Sequence, residues 1–176
     1  MKCWFFCPSD AVSKRAKADQ SGFAGWIGKH IEATPGSSID QQRIREVMWE
    51  CRDRYDLRSV AFDPWNMDEC YQTLIREGWA DSELLEFRQT FPKYNEPMQR
   101  CLELVREQRL CNDNPVLTWN ASNVVAKVDP SGNIRPDKGK SQDKIDGFCA
   151  MLMALSEALI GEGESIYESE SGAMAW

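Results

Sequence analysis

Val60-Ala61-Phe62-Asp63-Pro64-Trp65-Asn66 is a short apolar run that stops on an aspartate and a proline. Lys144-Ile145-Asp146-Gly147 places a second aspartate at the opening of a long apolar segment. Proline cannot continue a strand ladder, so the first run reads as a strand with Asp63 at its carboxyl edge, and the second as the start of a packed helix. Carboxylates so placed have backbones fixed by the core, and can hold divalent cations at a set spacing for phosphodiester chemistry. Taken singly, Asp before Pro is also an ordinary turn former, and Asp near a helix start is favoured by the helix dipole.

Other stretches extend the pattern in a fixed order: Phe6-Cys7-Pro8, Ala33-Thr34-Pro35-Gly36-Ser37-Ser38-Ile39-Asp40, Asn114-Pro115-Val116-Leu117-Thr118-Trp119-Asn120-Ala121-Ser122-Asn123-Val124-Val125 and Gly132-Asn133-Ile134-Arg135-Pro136-Asp137-Lys138. With the two aspartate motifs, this order resembles the nuclease domain of tailed-phage terminase large subunits, over about Trp4 to Leu159. The resemblance implies an α/β, ribonuclease H-like fold with a mixed sheet flanked by helices. It further implies a divalent-metal-dependent endodeoxyribonuclease that cuts concatemeric viral DNA during packaging, using Mg²⁺ or Mn²⁺ in a two-metal site. Asp63 and Asp146 correspond to the second and third acids of that site, with Asn66 and Asn123 supporting it. The first acid belongs to an opening strand upstream of the Trp4 to Pro8 match, so the fold is expected to be N-terminally truncated. The packaging ATPase domain is also expected to be missing, in keeping with the absence of a Gly-x-x-x-x-Gly-Lys-Ser/Thr loop. Cys111 departs from the family pattern, which often has a histidine before Asn-Pro-Val-Leu.

The resemblance names double-stranded DNA, a terminase small subunit and a portal as partners, and the bacterial cytoplasm as the compartment. Two other readings compete. One is an inactive remnant that serves only as a DNA-docking or interaction module; the other is a half-domain completed by a strand from a partner chain.

Composition sets limits. At 176 residues and 42% hydrophobic content, one domain with a real core is expected over residues 1–160. No apolar run is long enough for a membrane-spanning helix. Seven scattered cysteines, no Cys-x-x-Cys and a single histidine, His30, argue against zinc and for small core thiols in a reducing compartment. The net charge is -7, but Glu162, Glu164, Glu168 and Glu170 account for four of those charges in the stretch 161–176, which reads as a disordered acidic tail that Trp176 could dock. Between Ala126 and Lys144 the balance reverses. There Lys127, Arg135, Lys138, Lys140 and Lys144 outnumber Asp129, Asp137 and Asp143. Lys127, Arg135, Lys138 and Lys140 are the candidate phosphate contacts, although a solvated hairpin would look the same.

Periodicity supplies the remaining elements. Strands are expected at Lys2 to Cys7, Arg58 to Asp63 and Leu84 to Arg88, and a β-hairpin is expected to turn at Pro130-Ser131-Gly132. Helices are expected at Ala11 to Ala18 and Ser21 to His30, followed by a turn over Thr34 to Ser38. Another starts after Asp40, with Asp40 as its N-cap and Ile44, Val47, Met48 and Cys51 inward. Further helices are expected from Met67 to Glu77, ended by Gly78, and from Pro97 to Leu110 with Leu102 and Val105 inward, broken by Asn112-Asp113-Asn114-Pro115. The last is expected from Ser141, its N-cap, to Ile160. The strand, helix, strand order around Asp63 points to a parallel βαβ unit. Gly147 inside a helix is unfavourable by ~1 kcal/mol, which signals close approach of another group.

Overall fold

The computed structural model describes residues 1–17, 22–65 and 67–168, the side chains of residues 13, 16, 17 and 161–168 excepted. In chain order the elements are β1 (Phe6–Pro8), α1 (Ser9–Lys17), α2 (Phe23–Trp26), β2 (Glu32–Thr34), α3 (Gln41–Arg54), β3 (Val60–Phe62), α4 (Asp68–Arg76), a 3₁₀ turn (Asp81–Glu83), β4 (Leu84–Glu86), α5 (Phe91–Arg106), α6 (Pro115–Ser122), β5 (Ala126–Val128), β6 (Ile134–Pro136) and α7 (Asp146–Glu168). The architecture is mixed α/β. Two ladders are parallel, β1 with β2 and β3 with β4; β5 and β6 form an antiparallel hairpin.

The βαβ unit forms as expected. Its connecting helix α4 buries Cys70 and Leu74 and ends at Gly78, whose φ of +102° lets the Trp79 N–H return to the Leu74 carbonyl. Asp40 caps α3, accepting from the N–H groups of Gln42 at 2.9 Å and Arg43 at 3.4 Å. In the hairpin, Gly132 adopts a φ of +84° and Asp129 accepts from Ser131 and Asn133.

Several expectations are corrected. The segment from Ser21 to His30 yields only the short α2, because Gly28 at φ +75° turns the chain so that Ile27 bridges to Ile31. Glu32–Thr34, expected to lead into a turn, is instead the partner strand of β1. Helix α5 begins six residues early, at Phe91, and carries Pro97 inside it, where burial offsets the one missing backbone bond. Leu102 and Val105 face solvent rather than the core. Asn112 to Pro115 does more than break α5: Asn114 caps α6, accepting from Val116 at 2.9 Å, with Pro115 at the first helical position. Helix α7 starts at Asp146, and Ser141 is not its cap; the Ser141 hydroxyl instead donates to the Asp137 carbonyl and accepts from the Val125 N–H. At the other end α7 continues through Glu168, beyond the expected Ile160. Residues 169–176, including Trp176, lie outside the described residues.

The main core gathers Tyr94, Met98 and Cys101 of α5, Leu117 of α6 and Cys149, Met151, Leu152 and Met153 of α7 around Phe87 and Ile145. Leu152 is fully buried. A second cluster joins Cys7, Phe23, Ile31 and Val116, and a third packs Cys70, Leu74, Trp79 and Leu84 under α3. Phe5 touches both of the first two clusters, and its ring lies over Gly147. A Cβ at position 147 would stand 2.4 Å from Phe5 Cε1, so the close approach signalled by the glycine is that of an aromatic side chain. Alanine normally gains ~1 kcal/mol over glycine in a helix, whereas overpacking costs ~1–3 kcal/mol. Gly147→Ala should therefore destabilise the protein by up to about 2 kcal/mol in urea unfolding; a stabilised variant would show that Phe5 moves aside freely.

Candidate functional site

Asp63 follows the last residue of β3 and is held by two donors from neighbouring turns. Its Oδ1 accepts the Trp65 N–H at 3.2 Å, and its Oδ2 accepts the Gln89 side-chain amide. Gln89 follows β4, and its own carbonyl accepts from Arg135 of β6 at 3.3 Å, so the β3–β4 edge and the hairpin are tied at this point.

Asp146 is the first residue of α7, where helix N–H groups have no intrahelical partners. The next N–H, that of Gly147, donates to Asn120 Oδ1 at 2.9 Å. Asn120 is 3% exposed, and its amide nitrogen donates to the Val116 carbonyl at 3.0 Å. Asn123, at the end of α6, donates to the Lys144 carbonyl at 3.2 Å. Two asparagines of α6 thus fix the backbone on both sides of Asp146. Lys138 Nζ stands 3.4 Å from Asp146 Oδ1 with both side chains about half exposed, a pair contributing at most ~1 kcal/mol.

The fields of the two carboxylates meet at one buried thiol. Burial is the main reason the Cys149 thiol is raised above its ordinary range; Tyr94 and Lys138 pull against it, while the charges of Asp146 and Asp63 push it further up. Tyr94 is likewise raised, first by burial, then by Cys149 and Asp63. A neutral thiol is a poor metal ligand. Two carboxylates without histidine or thiolate would, as donors, suit a hard cation such as Mg²⁺ or Mn²⁺ rather than zinc. Among the described residues, no group of three or more His, Cys, Asp or Glu side chains gathers to hold a metal.

The other expected residues distribute unevenly. Lys127 and Lys140 are exposed. Lys138 is paired with Asp146. Arg135 is partly buried, its guanidinium 4.8 Å over the Phe91 ring, and serves to dock the hairpin. Asn66 lies outside the described residues. Sequence reasoning missed Gln89 and Asn120. For Asn120 a signal existed in the Asn-Pro start of a helix; for Gln89 there was none.

The α/β fold is that of the ribonuclease H-like class of nucleases. The family model described as "Terminase large subunit, endonuclease domain" matches residues 1–162, and the chain belongs to that family. It is similar to the terminase large subunit of Enterobacteria phage HK97, with 31% identity over 157 residues, covering 88% of this chain and 31% of the relative. It is also similar to protein YmfN of Escherichia coli (strain K12), with 28% identity over 170 residues, covering 91% and 36% respectively. The crystal structure of the HK97 bacteriophage large terminase superimposes with a TM-score of 0.77 at 30% identity, over 86% of this chain and 32% of that one. The chain spans about a third of the length of these relatives. No helix among the described residues is long and apolar enough to cross a membrane.

Removing the Asn120 amide leaves the part-buried Gly147 N–H without its protein partner, which costs up to ~1–3 kcal/mol. Asn120→Ala should lower urea stability by that amount; a loss under about 0.5 kcal/mol would show that water replaces the amide.

Burial also raises the thiols of Cys70 and Cys101. Unfolded cysteines ionise near pH ~8.5 and these folded ones only at higher pH, so their contribution is fully present below ~8.5 and lost as pH rises through the folded values. Under reducing conditions the urea midpoint should therefore fall between pH 8 and pH 10. A flat midpoint would mean that the buried thiols ionise as freely as unfolded ones.

Proposed function

We propose that this chain is the cutting part of a terminase large subunit: a divalent-metal-dependent endodeoxyribonuclease that acts on concatemeric viral DNA during packaging. The observation that carries the reading is the terminase endonuclease family match over residues 1–162, with Asp63 after a parallel strand and Asp146 at a helix start supporting it. Double-stranded DNA is the substrate. The terminase small subunit and portal are the assembly partners, and the bacterial cytoplasm is the compartment.

Asp63 and Asp146 would hold the cation, Mg²⁺ or Mn²⁺. When bound, a divalent ion stabilises charge on the phosphate oxygens and makes water a better nucleophile at neutral pH. The chain's own residues do the positioning. Gln89 and the Trp65 N–H orient Asp63, while Asn120 and Asn123 hold the backbone that carries Asp146. Lys138 pairs only weakly with Asp146, so its ammonium would be available to a backbone phosphate. Lys127 and Lys140 add exposed positive charge. Two carboxylates balance one divalent ion, so a second ion should bind weakly and cleavage by this chain alone should be slow.

The test is Mn²⁺ binding by electron paramagnetic resonance, alongside plasmid nicking. The expected result is one tightly held Mn²⁺ per chain, lost in both Asp63→Ala and Asp146→Ala together with any nicking. Unchanged Mn²⁺ binding in both variants would remove these aspartates from the site.

A further inference from the structure

The carboxyl-terminal edge of the β3–β4 ladder carries two exposed side chains that the proposed chemistry leaves unused. The parallel register sets Phe62 opposite Glu86, so the residues after β3 run beside those after β4. Two contacts tie the two turns together at Asp63, and a third closes the turn that Asp63 begins. The Phe87 N–H donates to the Phe62 carbonyl at 2.8 Å, the Gln89 amide donates to Asp63 Oδ2, and the Trp65 N–H donates to Asp63 Oδ1 at 3.2 Å.

Trp65 stands out of this frame with 80% of its surface exposed. Trp26 pairs with Trp119 and Trp49 with Trp79, and Trp4 is about half covered, so among the described tryptophans Trp65 offers the most open ring face. A single exposed apolar residue is ordinary on a protein surface. Its companion makes the difference. Arg88 lies between Phe87 and Gln89, the two residues bonded to the β3 edge, and its side chain is 76% exposed with Glu86 at 3.7 Å. That pair is too open and too long to hold the guanidinium. Arg135 bonds the Gln89 carbonyl, so this edge is continuous with the basic stretch that holds Lys127, Lys138 and Lys140.

Resting on the nuclease reading, we infer that Trp65 and Arg88 form a DNA-contacting edge beside Asp63. The guanidinium takes a backbone phosphate. The indole takes the face of a base at a distorted step, or wedges between two steps, because a fully stacked duplex offers no open base face. An aromatic group and a cation on one rigid edge would fix the strand's position relative to the aspartate while leaving sequence unread.

The two contacts differ in their response to salt, since phosphate contact releases counterions and stacking does not. The experiment is fluorescence anisotropy of a labelled duplex in EDTA, titrated with salt, for the wild type, Trp65→Ala, Trp65→Phe and Arg88→Ala. Trp65→Ala should weaken binding by about tenfold with an unchanged salt slope, and Trp65→Phe should retain most of the affinity. Arg88→Ala should reduce the slope by about 0.9. Wild-type affinity and slope in both alanine variants, with affinity lost in a Lys138→Ala/Lys140→Ala double variant, would overturn this edge and leave the nuclease reading standing. No duplex binding by the wild type would overturn the nuclease reading itself.

Discussion

The hydrogen bond from the Gly147 N–H to the buried Asn120 side chain is the constraint on which the site depends. The first N–H groups of a helix have no intrahelical partners, and that of Gly147 is partly buried. Asn120, on another helix, supplies the acceptor, and its own amide is satisfied by the Val116 carbonyl. Because the same α7 start carries Asp146, the interaction that stabilises the helix also places a carboxylate. Gly147 must lack a side chain for this to happen, since Phe5 and Asn120 both press on it. The asparagine, the glycine and the phenylalanine therefore form one unit assembled from three distant parts of the chain.

Asp63 is placed by a different device. The β3–β4 ladder is only three residue pairs long, too short to be stable alone, and it is buried on one side by α4 and on the other by α7. Its end is tied by contacts between the two emerging turns, with Gln89 as the link. The hairpin is drawn in by Arg135, a residue whose charge suggests DNA but whose guanidinium lies against Phe91 and the Gln89 carbonyl. The net charge of the chain says little about the site: a weak, half-exposed Lys138–Asp146 pair and an exposed lysine surface lie within an acidic protein.

The sequence by itself determined the elements whose signals are local. Asp40 as a cap, Gly78 as a helix stop, the Asp129 to Asn133 turn and the parallel unit around Asp63 depend on side chains within a few residues of the backbone groups they satisfy. The order of motifs was enough to identify the terminase nuclease family. What only the tertiary structure decided is long-range. Glu32–Thr34 pairs with β1 although its own residues read as the approach to a turn. The α7 start shifts from Ser141 to Asp146 because the Ser141 hydroxyl is taken by Asp137 and Val125 while Asn120 supplies a better acceptor. Gln89, Asn120 and the inward turn of Arg135 act across 26, 27 and 46 residues of sequence. Propensity and spacing describe a residue's immediate neighbours, and a partner so far along the chain exists only once the core has brought it there.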